Sequence, residues 1–392
     1  MDLLGDSVSK SLSGLLGWID HSYSGWDPFD GLNSTRFDGF RALPPQIKAV
    51  LIQMHKVSPI NLRPVFSVNP GIDTKGISLF LQSYCNLQDS GIGGPLKDDG
   101  EWLFSTLMGK SIEANDTIAW SSHYFDYVGV DGSVLTPDTP DLIGTTNAIR
   151  AICQYARLKD LDVKDVIRKY YHYLLGNFDR DHSCYYYGHH VRNKYVPNSD
   201  AEVISSVRIA GEMVRSEEVE ELCRASLLKL IESQDEQGSW FYSRYLDGAV
   251  YRQLDFHQGY IIDGLVDALH LFPEMRNTIM PSLEKAIRSY DSLFAGDGRS
   301  FYRFPRRYPT DVHNQAQGII TNLKLYDEFD NKVHLESSSR ICKWTIENMQ
   351  DESGYFYYQK GRLLANKIPY MRWSQAWMML ALSQTLEVAT VV

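Results

Sequence analysis

Apolar residues recur along most of this chain at three- and four-residue spacing, the period of helices that bury one face. The pattern itself repeats. A helix-period run ends in an acidic, glycine-bearing turn and an aromatic burst. Val219 to Gln234 leads into Asp235-Glu236-Gln237-Gly238-Ser239-Trp240-Phe241-Tyr242, and Leu335 to Gln350 into Asp351-Glu352-Ser353-Gly354-Tyr355-Phe356-Tyr357-Tyr358. Met280 to Phe294 is followed by Gly296-Asp297-Gly298-Arg299-Ser300-Phe301-Tyr302, and Val163 to Phe178 more loosely by 179–187. After each burst comes a second, more apolar helix rich in small residues: Val203 to Val214, Phe256 to Leu269, Val312 to Leu325 and Arg372 to Leu386, with Thr145 to Leu158 preceding the series. Their starts give a period in the fifties, which is two helices and two connections.

The alternation has a physical meaning. A helix with one polar face, as at Glu217 to Arg224, suits an outer ring, and one apolar nearly all round, as at Trp377 to Leu382, suits an inner ring. Glycine ends the outer helix because the chain turns back through positive φ. Further helices are expected at Pro45 to Lys56, Lys75 to Leu87 and Gly100 to Lys110, and an additional one at Leu3 to Tyr23. The expected fold is all-α, an (α/α)6 toroid of six helical hairpins with short β-hairpins or loops at one mouth. It fills 1–392 as one domain, with 1–60 as an N-terminal helical extension.

Composition narrows the function. At 392 residues the default is two domains, but no Gly/Pro/Ser-rich linker divides the chain, and a closed ring uses this length as one unit. The net charge of −10 argues against nucleic acid as a partner. Five cysteines without a CxxC pair read as buried thiols of a reducing compartment. No apolar run is long enough to span a membrane, and Asp2 and Asp6 do not suit a secretion signal, so a cytoplasmic location is expected.

Asp255-Phe256-His257 and Asp311-Val312-His313 each open an inner helix. Capping is a sufficient reason for each Asp. For the histidines two readings stand: proton carriers at a shared mouth, poised by the acids, or buried structural rings. Arg63 and Arg372 suit a substrate carboxylate, Lys75 with Arg63 an anion. Trp120, Trp240 and Trp373 offer stacking surfaces for sugar rings, while Trp373 and Trp377 also make an ordinary helix stripe. Trp120 to Tyr127 leads into the long loop to Asp141, and supplies His123 and Tyr124 with Asp126 or Asp141 as acid or base; an aromatic plug is the plainer reading. Tyr251 precedes the first Asp-His pair. Gly91, Gly93 and Gly94 do not make a nucleotide loop, and no metal-spaced Cys/His set or nucleophile motif is present, so no metal and no cofactor are expected.

Gln234-x-x-x-Gly238-x-Trp240 resembles a turn staple of α-toroid triterpene cyclases, but their acid motif is missing and Asp98-Asp99 lacks the third acid of a magnesium-binding DDxxD. Trp26 to Ser34, Ser58 to Arg63, Lys75-Gly76 with Tyr84 to Leu87, Asp255 to His257, Tyr308 to His313 and Asn366 to Trp377 together resemble a family of microbial proteins found with surface-polysaccharide biosynthesis enzymes. The likeness runs over nearly the whole chain and departs at Ser121-Ser122, where that family suggests Gly-Tyr. Members often carry an aminolevulinate dehydratase label, but that enzyme is a TIM barrel with Schiff-base lysines, and this chain has no βα alternation. More distantly the plan is similar to six-hairpin glycosidases, polysaccharide lyases and glucuronyl C5-epimerases.

The expected activity is therefore that of a carbohydrate-active enzyme of polysaccharide biosynthesis or modification, using an acidic or uronate-containing glycan by epimerisation, elimination or hydrolysis. Its substrate is an oligo- or polysaccharide or derives from a nucleotide sugar. His257 and His313 are the expected proton carriers, Asp255 and Asp311 their orienters or acids, with Asp126 and Tyr124 beside them. Arg63, Arg372, Trp120, His123, Trp240, Tyr251 and Trp373 are the expected substrate contacts. The alternatives are a non-catalytic glycan-binding or assembly protein and a terpene-cyclase-like toroid.

Overall fold

The computed structural model describes residues 2–36, 43–89, 91, 99–129, 134–188 and 191–391. Gly93, Gly94, Asp98 and positions 130–133 of the long loop fall outside that set. The helices are α1 (Asp2–Ile19), α2 (Pro45–Val57), α3 (Thr74–Asp89), α4 (Asp99–Gly109), α5 (Leu142–Lys159), α6 (Lys164–Gly176) and α7 (Pro197–Gly211). They continue as α8 (Glu217–Glu232), α9 (His257–Leu271), α10 (Arg276–Asp291), α11 (Val312–Phe329), α12 (Lys332–Met349) and α13 (Trp377–Val391).

Helices α3, α5, α7, α9, α11 and α13 each pack on the next, and α13 packs back on α3, so the inner ring closes. These are the apolar helices of the repeat, and α3 buries every residue from Thr74 to Leu87. The helices that follow them bury one stripe only, as α8 does with Val219, Leu222, Cys223, Ser226, Leu227 and Leu230. That stripe is the 3.6-residue period of the sequence made visible.

The turn chemistry of the repeat is conserved in geometry from hairpin to hairpin. Gln234 donates to the Gly238 carbonyl at 3.1 Å and across to Ser282 O of α10 at 2.9 Å. Gln350 donates to Gly354 O at 2.8 Å and across to Ser11 O of α1 at 2.9 Å. Gly238, Gly298 and Gly354 have φ of +86°, +94° and +106°. A Cβ there would meet Lys285 O of α10, Arg340 O of α12 and Gly14 O of α1, each within 2.5 Å. Both contacts give α1 the place of an outer helix beside α12 and α13, so the helix expected as an extension fills the sixth outer position.

A glutamine in an inner helix then ties down each aromatic burst. Gln258, Gln315 and Gln375 accept from Trp240 N at 2.9 Å, Ser300 N at 2.6 Å and Phe356 N at 2.8 Å. Sheet is confined to two- and three-residue strands. Two three-stranded patches, 194–195 with 243–245 and 250–251, and 310–311 with 359–360 and 365–366, adjoin the starts of the inner helices. Met371–Ala376 forms a single π-helical stretch that feeds α13. No helix among the described residues is long and apolar enough to cross a membrane.

Candidate functional site

The inner helices start at one mouth of the ring, and a cavity of about 670 Å³ opens there. It is bordered by the first turns of α3 (Lys75), α5 (Ile143), α7 (Asn198), α9 (His257) and α11 (His313, Asn314) and by Arg372 and Trp373 of the π-helical stretch. Phe29, Tyr127, Tyr187, Tyr242, Tyr302 and Tyr358 supply an aromatic wall. Among the described residues no cluster of three or more His, Cys, Asp or Glu is arranged to hold a metal ion.

Eight of the expected residues border this cavity: Asp255, His257, Asp311, His313, His123, Tyr251, Arg372 and Trp373. Their environments differ sharply. His257 Nδ1 lies 2.6 Å from Asp255 Oδ1, and its side chain keeps 16% exposure against 3% for the acid. Its Nε2 makes no hydrogen bond among the described residues. Asp255 also accepts from the His257 backbone N–H and from Gln253, so the acid fixes the ring in place. An imidazole anchored at Nδ1 with Nε2 open to a cavity is the geometry of a proton carrier.

His313 occupies the same place in its own repeat but is 2% exposed. Phe256 stacks on one face at 4.0 Å and Trp377 on the other at 4.6 Å, and Nε2 meets Tyr260 Oη at 2.6 Å. Burial, then the charges of Lys75, His257 and Arg372, hold its pKa well below the ordinary histidine value. His313 is thus held as a neutral ring in the stack, which is the structural one of the two readings left open for the histidines. His123 is similar: burial, then Arg372 and Lys75, lower its pKa well below the usual range.

Asp311 caps α11 through His313 N–H at 3.0 Å and accepts from Trp373 Nε1 at 3.0 Å and Gln359 Nε2 at 2.8 Å. Burial outweighs these bonds and raises its pKa. Trp373 stands edge-on to Phe29 at 5.6 Å and to His313 at 4.9 Å, and stays half-buried at the wall. Tyr251, 46% exposed, sits at the rim with its hydroxyl 3.2 Å from Gln253 Oε1.

Five expected residues do not border the cavity. Arg63 is fully buried; Nε contacts Asp30 Oδ1 at 2.5 Å, and the two terminal nitrogens reach Tyr370 Oη at 3.0 Å and Asp27 O at 2.6 Å. It ties the N-terminal segment to the last hairpin and, fully buried, presents no atom to the cavity. Trp120 and Trp240 are buried to 0% and 1% and donate their indole N–H to Leu107 O and Leu230 O at 2.8 Å. They are wedges of the repeat, not stacking platforms. Tyr124 donates to Gly25 O at 2.9 Å and stands 3.1 Å from Asp30 Oδ2, bonded to the N-terminal segment. Asp126 accompanies it outside the cavity, whereas Asp141 borders it but is saturated by Ser122 and Gly144.

Sequence reasoning missed Lys56, which lines the cavity with Nζ 4.4 Å above the Phe29 ring. Burial, then Arg303, lowers its pKa to about 8. It also missed Tyr260, whose helical spacing from Phe256 was the available signal.

No protein-family model and no curated protein sequence matches the chain. Solved structures do. An α-mannanase of glycoside hydrolase family 76 from Bacteroides thetaiotaomicron aligns over 81% of this chain and 87% of its own at TM-score 0.63 and 11% identity. Cellobiose 2-epimerase from Spirochaeta thermophila aligns over 82% and 88% at TM-score 0.61 and 15% identity. An unsaturated glucuronyl hydrolase specific for heparin aligns over 98% of both chains at TM-score 0.65 and 10% identity. The chain is an (α/α)6 toroid. At such identities the likeness carries the fold, and the chemistry rests on the residues at the mouth.

Proposed function

We propose that this toroid is a glycan-modifying enzyme, acting on an acidic or uronate-containing carbohydrate by acid-base chemistry at the His257–Asp255 pair. The observation that carries the reading is the contrast between His257, anchored by Asp255 and open at Nε2, and every other histidine of the mouth. The names of the similar structures support the substrate class: a mannanase, a cellobiose epimerase and a heparin-specific glucuronyl hydrolase. The aromatic wall offers sugar faces a stacking surface.

Hydrolysis by two carboxyls requires one acid free to protonate and one free to attack or activate water. Asp255 and Asp311 are both held by several donors, so proton transfer at a sugar carbon, as in epimerisation or elimination, fits the site better. The charged and polar groups at this mouth disfavour an isoprenoid substrate. The withdrawal of His313 favours a second reading, glycan binding without turnover. Five buried, unbonded cysteines support work in a reducing cytoplasm.

The test is a turnover screen of the purified protein against uronate-containing and neutral oligosaccharides in deuterated water with mass detection. Deuterium uptake, a new unsaturated end or shortened chains, lost in His257→Asn, supports the enzyme and names its class. Binding with no product selects the second reading. Product formation that survives His257→Asn removes His257 from the mechanism.

A further inference from the structure

Among the cations at this mouth, two make neither an ion pair nor a hydrogen bond among the described residues. Arg372 meets Asp27 Oδ2 at 2.7 Å and Asp73 Oδ2 at 3.5 Å. Burial works against its charge, but those two acids raise its pKa. Arg303 stands 3.4 Å from the Tyr251 hydroxyl and lies over the Tyr302 ring at 5.1 Å. Lys194 lies over Tyr245 and has other partners. Lys56 and Lys75 make no ion pair and no hydrogen bond among the described residues.

Lys75 is the deeper of the two. It sits in the first turn of α3, is 5% exposed, and carries its ammonium 5.0 Å above the Trp377 ring and 5.5 Å above Tyr260. A buried ammonium without an anion is costly, and ring faces offset about 2 kcal/mol of that cost when desolvated. Burial, opposed by the more distant Glu202, lowers its pKa to about 8, so the charge is present at neutral pH. His313 experiences the fields of both Lys75 and His257. The stacked rings His257, Phe256, His313 and Trp377, spaced 4.1, 4.0 and 4.6 Å, form a column that runs from the proton carrier to the ring beneath this ammonium.

We infer that Lys75 is the seat of the substrate's anionic group, and that the group is the carboxylate of a uronate whose ring lies along this column. The inference rests on the reading of the mouth as a glycan site and adds which residue reads the acid. One buried ammonium suits a compact monoanion better than a phosphate dianion, which gains from several converging donors. Arg63 lies outside the cavity, and the charge of Arg372 is already paired with Asp27 and Asp73.

The experiment is titration calorimetry with oligosaccharides of glucuronic and galacturonic acid, their methyl esters, and cello- and malto-oligosaccharides of the same length. The wild type is expected to bind at least one free acid tenfold or more tighter than its ester. Lys75→Met is expected to bring the two within about twofold while leaving the ester's affinity unchanged, and Lys75→Arg to retain a preference. Lys56→Met serves as the comparison and is expected to keep more than half of the discrimination on a logarithmic scale. Equal binding of acid and ester by the wild type, or a preference that survives Lys75→Met, overturns the inference while leaving the glycan reading intact. No binding of any sugar, neutral or acidic, overturns both. If Lys75→Met does not fold, Lys56→Met decides: its preference is expected to fade from pH 7 to pH 10 as Lys75 loses its proton, and a constant preference overturns it.

Discussion

The same three-residue word, Asp-x-His at the start of an inner helix, has two outcomes in this molecule. At 255–257 the imidazole meets its acid and faces the cavity; at 311–313 the acid turns to Trp373 and Gln359, and the imidazole is sealed between two rings. Local sequence does not separate them, because capping is satisfied in both. The difference has a measurable consequence. In the unfolded chain a histidine titrates at about 6.5, and buried His313 resists protonation, so below that pH the unfolded state binds a proton that the folded state refuses. Stability from this residue is therefore lost as pH falls below about 6.5. His313→Phe keeps a ring in the stack and removes the titration. Urea unfolding is expected to show the variant gaining on the wild type by up to about 1.4 kcal/mol per unit between pH 6 and pH 5. A gap that stays constant would mean that His313 protonates inside the fold. His257→Asn is expected to unfold within about 0.5 kcal/mol of the wild type, because the ring borders solvent and is not a core wedge.

Arg63 gives the converse case at this scale. Its charge is spent on Asp30, whose own pKa is raised to about 6 by burial despite the pairing. Arg63→Met strands that acid, and about 3–5 kcal/mol of stability is expected to go, read by denaturant melts at pH 7. Ligand affinity per folded molecule should not change, since Arg63 does not border the cavity.

At the scale of elements, the six-residue gap between a repeat's glutamine and its aromatic is fixed by a turn that only glycine fits. Gly354 combines φ of +106° with a neighbour, Gly14 O, 2.1 Å from where a Cβ would stand. Gly248 has a similar φ of +88° and open space around it. Gly248→Ala is expected to cost about 1 kcal/mol, the strain of a left-handed residue alone. Gly354→Ala is expected to cost about 3 kcal/mol or more, because α1 must also shift. Thermal melts of the two variants check the difference; equal losses would show that the close approach to α1 contributes nothing. This element was legible in the sequence as a glycine at the end of a helical run, but the second reason for it was not, because the atom it approaches lies some 340 positions away.

At the scale of the whole molecule, α1 closes the outer ring. Val8, Leu12, Leu15 and Ile19 are buried at 0 to 3% exposure, and Ser11 Oγ donates to Gln350 Oε1 at 2.7 Å. Burial of four such side chains is worth about 6–10 kcal/mol, comparable to the whole stability of an ordinary domain. Deleting residues 2–19 is expected to abolish the cooperative melt and to expose apolar surface to a fluorescent dye, even though both ends of the proposed active site lie elsewhere. A truncated chain that melts cooperatively within a few degrees of the full one would show that the ring does not depend on this closure.

The sequence by itself determined the helices, their alternation between polar-faced and apolar, and their repeat, because helical period and turn glycines are written in neighbouring residues. It thereby determined the double ring and the two Asp-His openings. Tertiary structure alone decided that α1 is the sixth outer helix, that Trp120, Trp240 and Arg63 are internal supports, and that His257, Lys56 and Lys75 border the cavity. Each of those outcomes depends on what stands opposite a side chain once the ring has closed, and the opposing residues come from hairpins far apart in the chain.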